Sequence, residues 1–277
     1  MPELPEVETT VRGLTRVLDG RRIARVELRR GDLRRPFPDD LGQRLTGATV
    51  TGLARRAKYG LIATDRGDTM IFHLGMSGRW RIDPVELGAH DHLLIETEAM
   101  DGERGRVLTL NDPRRFGSVD LVASKDLSDW PAFKALGPEP LGGVIDGKWL
   151  KTRLAERSAA IKLMLLDQRI IAGLGNIYVC EALFRARIDP KKAAGRVGRV
   201  RLDGLAVAIP EVLEEAIAAG GSSLRDFAAP DGELGYFSKT FDVYGREGEP
   251  CRGGCTGVVK RIVQGGRSTF YCSACQR

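Results

Sequence analysis

Residues 48–65, ATVTGLARRAKYGLIATD, decide how the first half of the chain is read. The stretch is β-prone on both sides of a turn at RRAKYG. Runs of the same kind follow at 69–76 (TMIFHLGM), 91–98 (DHLLIETE), 106–112 (RVLTLND) and 117–124 (GSVDLVAS), separated by Gly, Asp and Pro turns. Short strands in series with no helical period between them predict an antiparallel sandwich or barrel from about Ile23 to Val122. Upstream, Val7, Val11, Leu14 and Leu18 recur at helical spacing after Pro5, with Glu6 and Glu8 in the first turn where the helix dipole favours carboxylates.

Downstream the pattern changes again. WPAFKALGPEPLGG (130–143) has the Pro and Gly content of a linker, and helical periodicity returns over about 147–167, 176–186, 198–219 and a short piece near 223–228. A chain of 277 residues suits about two domains, and with 42% hydrophobic residues it can bury an ordinary core. No run of eighteen apolar residues offers a membrane span. The acidic, proline-bearing start lacks the basic and apolar regions of an export signal, so a cytoplasmic location is expected. The net charge is +6, and residues 251–277 hold five basic residues (Arg252, Lys260, Arg261, Arg267, Arg277) and no acid. That concentration points to a phosphate backbone as partner.

Four of the five cysteines fall in the same segment as Cys251-x3-Cys255, sixteen residues, then Cys272-x2-Cys275. This is zinc-ribbon spacing, in which one tetrahedral ion bridges two turns of a hairpin too small for its own core. Disulfides are the alternative, disfavoured for a cytoplasmic chain. Four sulfur ligands leave no open position, so the expected zinc is structural. Cys180, in IYVCEALF, reads as a packed residue.

Pro2 follows the initiator methionine, and removal of Met1 would expose a secondary amine just before a helix. An α-amino group of pKa about 7.8 is roughly 10–20% neutral at pH 7, whereas a lysine is neutral about once in 2,500 molecules. A secondary amine attacking an aldehyde-level carbon forms an iminium cation, which acidifies the neighbouring hydrogen and permits elimination. Glu3 stands next to it as a proton-handling group, or as a plain helix cap.

PELPEVETTVRGL, RRAKYG, HLGMSGR, LNDPRRFG, GPEPL, AGLGNIYVCEALF, GGSSLRDF, VYGREGEPC and GGRSTFYCSACQR together resemble the bacterial formamidopyrimidine-DNA glycosylases over nearly the whole chain. The resemblance implies an α+β chain: an N-terminal helix and antiparallel β-sandwich catalytic domain (1–130), a linker (131–145), a helical domain with a helix–two-turn–helix element and lesion lid (146–240), and a zinc finger (241–277). It implies a monomeric glycosylase and abasic-site lyase acting on double-stranded DNA with oxidised bases, without a nucleotide cofactor. Pro2 would form the Schiff base and Glu3 would protonate the sugar or leaving group. Lys58 would assist β-elimination and Arg267 δ-elimination. Met76, Arg114 and Phe116 would fill the gap left by an extruded base. His73, His92, Arg157 and Lys162 would contact the DNA backbone. Gly175 and Asn176, in GLGNIY, would present helix N–H groups to a phosphate. The loop 220–237 would cover the extruded base. The first cysteine pair departs from the family's usual x2 spacing. Two other readings compete: an endonuclease VIII-like glycosylase for oxidised pyrimidines, and a non-catalytic zinc-ribbon DNA-binding protein.

Overall fold

The computed structural model describes residues 2–222, 230 and 237–277, arranged as two compact units. The first unit opens with α1 (Leu4–Leu18), which begins where a capping box forms: the Glu3 side chain accepts the Glu6 N–H, and the Glu6 carboxylate accepts the Glu3 N–H. Pro5 in the first turn costs no hydrogen bond there. Leu4, Val7, Val11, Leu14, Val17 and Leu18 line its buried face, each worth on the order of 2 kcal/mol of gross burial.

The eight strands of this unit are β1 (Ile23–Leu28), β2 (Val50–Arg56), β3 (Tyr59–Thr64), β4 (Asp68–His73), β5 (Arg79–Ile82), β6 (Asp91–Thr97), β7 (Val107–Asn111) and β8 (Ser118–Ala123). They form two antiparallel sheets of four, in the orders β1-β6-β7-β5 and β2-β3-β4-β8. A short helix α2 (Leu41–Leu45), which the hydrophobic pattern did not announce, inserts Leu41 and Leu45 into the same core. That core runs between the sheets through Met70, Phe72, Trp80, Leu93, Ile95, Leu108 and Leu110, and α1 packs across β2, β3 and β5. The expected sandwich is therefore what forms.

The second unit contains α4 (Gly147–Leu154), α5 (Ile161–Leu166), α6 (Asn176–Arg185), α7 (Arg199–Ala218) and the hairpin β9 (Val259–Gln264) and β10 (Arg267–Cys272). The helix expected over 147–167 is split, because Glu156 adopts a left-handed conformation (φ +61°) and residues 155–160 leave the helical path. The expected division into domains also shifts. Residues 131–134 form α3 (Pro131–Lys134), whose Phe133 packs on Trp130 and Tyr59, so this part of the linker belongs to the first unit. The described residues of 219–236 also group with the first unit, where the Ile82 N–H donates to Pro230 O at 2.9 Å. The cysteine hairpin shares one core with α6 through Cys180, Phe184, Val243 and Val259. Residues 223–229 and 231–236, which hold most of the expected lid and the expected short helix near 223–228, lie outside the described residues. Among the described residues, no helix is long and apolar enough to cross a membrane.

One buried acid fastens the loop ahead of the hairpin. Glu181 on α6 is 1% exposed and accepts the N–H groups of Asp242 (2.8 Å), Val243 (3.0 Å) and Tyr244 (2.8 Å). Burial pushes its carboxyl pKa up, and the three N–H donors pull it back. Glu181→Ala would strand those donors, costing about 3 kcal/mol or more. A melting temperature lower by roughly 10 °C in thermal unfolding is expected; an unchanged value would mean that apolar contacts alone hold the loop.

Candidate catalytic and nucleic-acid-binding site

Pro2 is buried and leads directly into the cap of α1, with Glu3 2% exposed beside it. Glu6, also 2% exposed, accepts the Glu3 N–H through Oε2 (2.8 Å) and the Ser222 N–H and hydroxyl through Oε1 (2.9 and 2.8 Å). The start of α1 is thereby joined to the last described residue before the lid segment. Glu8 adds an ion pair to Arg55 on β2 at 3.0 Å.

Arg55 in turn reaches the turn that carries Lys58, donating to Ala57 O at 2.9 Å where Ala57 is left-handed (φ +53°). Lys58 is 8% exposed, so most of its stem is packed. The next residue, Tyr59, stacks edge-on with Trp130 and Phe133 and lies 5.0 Å from the His73 ring. His73 Nδ1 accepts the Gly75 N–H at 3.0 Å, which leaves Nε2 to carry the proton. Burial, and then the positive charges of Lys58, Arg34 and Arg35, bring its pKa down to about 4.

Met76 sits half-buried in the loop after β4, and Arg114 and Phe116 lie in the loop between β7 and β8. Phe116 is 46% exposed, with the Arg114 guanidinium 5.0 Å from its ring centre. Isolated on a strand such residues would be core; in loops they are presented outward. His92 is 5% exposed, with its Nε2 engaged with Asp112 O at 3.0 Å.

In the second unit Gly175 caps α6, and Gln168 stitches the preceding turn, accepting from Gly173 N–H (2.8 Å) and donating to Leu174 O (2.7 Å). Gly173 is left-handed (φ +84°), a conformation that favours glycine. Asn176 donates from Nδ2 to Ser268 O at 2.8 Å. Lys162, expected at the DNA backbone, is 0% exposed, and its ammonium donates to Ser268 O (3.1 Å) and Thr269 Oγ1 (2.6 Å). A cation enclosed this way supports the strand that bears Arg267. Arg267 itself is exposed at the start of β10, after the left-handed glycines 265 and 266, and Arg157 is exposed just beyond the break after α4.

The four hairpin sulfurs lie within 4.8 Å of one another, with Cys251 and Cys275, and Cys255 and Cys272, each 3.6 Å apart. A tetrahedral ion with sulfur at ~2.3 Å needs sulfurs ~3.8 Å apart, so the donor set fits a metal ion. The N–H groups of Gly253 and Gly257 point at the sulfurs of Cys251 and Cys255, both at 3.3 Å. Within the x3 turn, Gly254 is left-handed (φ +76°), a conformation that favours glycine.

Residues given no site role in the reading of the sequence now stand out: Glu6, read there only as a carboxylate at the positive end of a helix, and Tyr59, Ser77 and Asp112, visible solely as parts of RRAKYG, HLGMSGR and LNDPRRFG.

His73 yields a pH test. Its folded pKa lies below the ordinary 6.5, so protons favour the unfolded chain between pH 6.5 and about 4. Its contribution to stability is complete above pH 6.5 and is lost as the pH falls toward 4. An NMR titration of the imidazole should give a midpoint near 4; one near 6.5 would place the ring in water.

Comparison with known proteins agrees with this geometry. The family model described as "Formamidopyrimidine-DNA glycosylase N-terminal domain" matches residues 1–119, and "Formamidopyrimidine-DNA glycosylase H2TH domain" matches residues 136–228. The formamidopyrimidine-DNA glycosylase of Novosphingobium aromaticivorans is 67% identical over the whole of both chains. A Lactococcus lactis FPG mutant in complex with Fapy-dG-containing DNA superposes over the full length of both chains with a TM-score of 0.90 at 33% identity. The Lactococcus lactis Fpg complex with abasic-site DNA does so with a TM-score of 0.89 at 34% identity. With both modules matched and full-length relatives this similar, the chain belongs to the formamidopyrimidine-DNA glycosylase family.

Proposed function

We propose that the chain is a bifunctional DNA glycosylase and abasic-site lyase that excises oxidised purines, 8-oxoguanine and formamidopyrimidines, from duplex DNA. The observation that carries this reading is Pro2 immediately ahead of the α1 cap, next to the enclosed carboxylate of Glu3. The positive end of α1 lowers the pKa of an amine placed there and enlarges its neutral fraction. Once Met1 is removed, the prolyl nitrogen donates its lone pair to C1′ of the extruded nucleotide. The C1′–N bond to the base breaks and the base leaves with a proton. The attached nitrogen gives up its N–H proton, and the C1′–O4′ bond then opens as O4′ is protonated, with Glu3 supplying a proton to the sugar or the leaving group. The resulting iminium has no N–H to lose, so it stays cationic and withdraws electrons from C2′. Loss of a C2′ proton expels the 3′ phosphate, and a second elimination expels the 5′ phosphate. In this reading Lys58 assists the first step and Arg267 the second, both from the phosphate side.

The polar groups around the site divide the remaining work. His73 offers a neutral Nε2–H donor, and Arg157, Gly175 and Asn176 take backbone phosphates, while His92 and Lys162 act indirectly through the buried hydrogen bonds they make. Met76, Arg114 and Phe116 fill the space of the everted base. The four cysteines would hold one zinc ion, which stabilises the hairpin and leaves no position for water. A soluble enzyme working at the chromosome in the cytoplasm is the setting this implies. The full set of Met76, Arg114 and Phe116 favours purine lesions over the endonuclease VIII-like reading, and a non-catalytic zinc-ribbon protein would have no use for a free Pro2.

Borohydride should trap a covalent complex between the chain and 8-oxoguanine duplex, and Pro2→Gly should cut trapping by ~100-fold or more. Undiminished trapping by a chain with a blocked terminus would rule out the prolyl nucleophile. Elemental analysis should return one zinc per chain, and chelation should melt the hairpin while the sandwich persists. Full DNA affinity after zinc removal would show that the hairpin does not carry the phosphate contacts.

A further inference from the structure

Of the enclosed acids that the mechanism above does not use, Asp112 stands behind the loops that would enter the base stack. Asp112 is 0% exposed and begins the loop that bears Arg114 and Phe116. Its Oδ2 accepts the Gly117 N–H at 2.8 Å, which closes that loop on itself, and its Oδ1 accepts the Ser77 hydroxyl at 2.6 Å. Ser77 is 7% exposed, follows Met76 directly, and its Oγ also accepts the Arg114 N–H at 3.2 Å. One hydroxyl and one carboxylate therefore tie the Met76 loop to the Arg114–Phe116 loop.

The main chains of the two loops are in contact at the same place. A Cβ on Gly75 would lie 2.3 Å from the Phe116 carbonyl carbon and 2.4 Å from Gly117 N, and Gly75 is left-handed (φ +62°). A Cβ on Gly117 would lie 2.8 Å from His73 O. Glycine at both positions lets backbone meet backbone, and the Asp112–Ser77 pair fixes the register of that meeting. The pair is anchored to the sheet by the Asp112 N–H to His90 O and by His92 Nε2 to Asp112 O, both at 3.0 Å. Arg114 and Phe116, by contrast, project from the surface. Projecting side chains can enter a base stack only if the main chain behind them does not yield. Here that stiffness comes from below, through hydrogen bonds excluded from water.

We propose that Asp112 and Ser77 are positioning residues for base extrusion: they hold Met76, Arg114 and Phe116 as one preformed unit before DNA arrives. They touch no reacting atom, and they set how efficiently the stack is opened. This rests on the wedge reading given under the proposed function.

The test compares two substrates under single-turnover conditions. One is 8-oxoguanine opposite cytosine in a duplex, where a base must be everted. The other is a preformed abasic site in a single-stranded oligonucleotide, where there is none to evert. Ser77→Ala should slow duplex excision on the order of ten-fold and retain the wild-type rate on the single strand, while remaining folded at the assay temperature with a somewhat lower melting temperature. A 2-aminopurine beside the duplex lesion should brighten correspondingly more slowly with the variant. Asp112→Asn, which removes the charge and keeps the shape, should give the same substrate split. Equal losses on both substrates, or no loss on the duplex, would overturn the positioning role. If the wild-type chain cut neither substrate, the glycosylase reading itself would fall and the proposal with it.

Discussion

A carboxylate enclosed by protein must find its hydrogen-bond donors inside the fold, and the chain turns this demand into a way of fastening loops. Glu6 joins the α1 cap to Ser222; Asp91 gathers Arg81, Gly88, Thr109 and Asn111; Asp112 gathers Ser77 and Gly117; Glu181 gathers residues 242–244. Each acid ties together segments separated in sequence, and those held by Glu6 and Asp112 flank positions that the proposed chemistry needs. Backbone N–H groups that strand pairing and helices leave over become the donors. The loops are thus held by directed bonds, where apolar contact would leave them free to slide.

The hairpin solves a related problem with different means. Its strands are only partly buried, with Ile262 half-buried and Val263 68% exposed, so it cannot stand on burial alone. Four clustered sulfurs hold one end, and the other end is pinned at Ser268, whose carbonyl accepts from both Lys162 and Asn176. Arg267 is the residue before that shared carbonyl. A charged side chain that must meet a phosphate while standing in water gains from a backbone fixed one residue away, because less conformational freedom is lost on contact.

Much of this was legible in the sequence, for reasons that differ by element. The α1 helix and the strands announced themselves because apolar spacing is set by which face meets the core, as in Val7, Val11 and Leu14 or in Leu93 and Ile95. The cysteine cluster was legible because ligand spacing is a local constraint. The helix break after Leu154 was not, since it depends on a left-handed Glu156, a residue type with no marked turn preference. Nor was the burial of Lys162 and His92, because a polar side chain can serve solvent or the interior and periodicity does not distinguish them. The grouping of 219–222 with the sandwich depended on Glu6 reaching Ser222, a contact across 216 residues that no local pattern encodes.

The charge distribution around His73 connects these points. Lys58, Arg34 and Arg35 all act on it, and together with burial they keep the ring neutral at physiological pH. An imidazolium at that position would add a fourth positive charge among three and would be expelled toward water. The neutral ring, oriented by the Gly75 N–H at Nδ1, presents one donor in a fixed direction at no cost in charge repulsion. Gly75 is also where the Met76 loop touches the Phe116 backbone, so the tautomer of His73 and the placement of the projecting loops are set by the same turn. A cationic surface that binds phosphate by charge alone would tolerate many orientations of DNA. One that includes a directed neutral donor, tied to the loops that would enter the stack, selects the orientation in which those loops face a base pair.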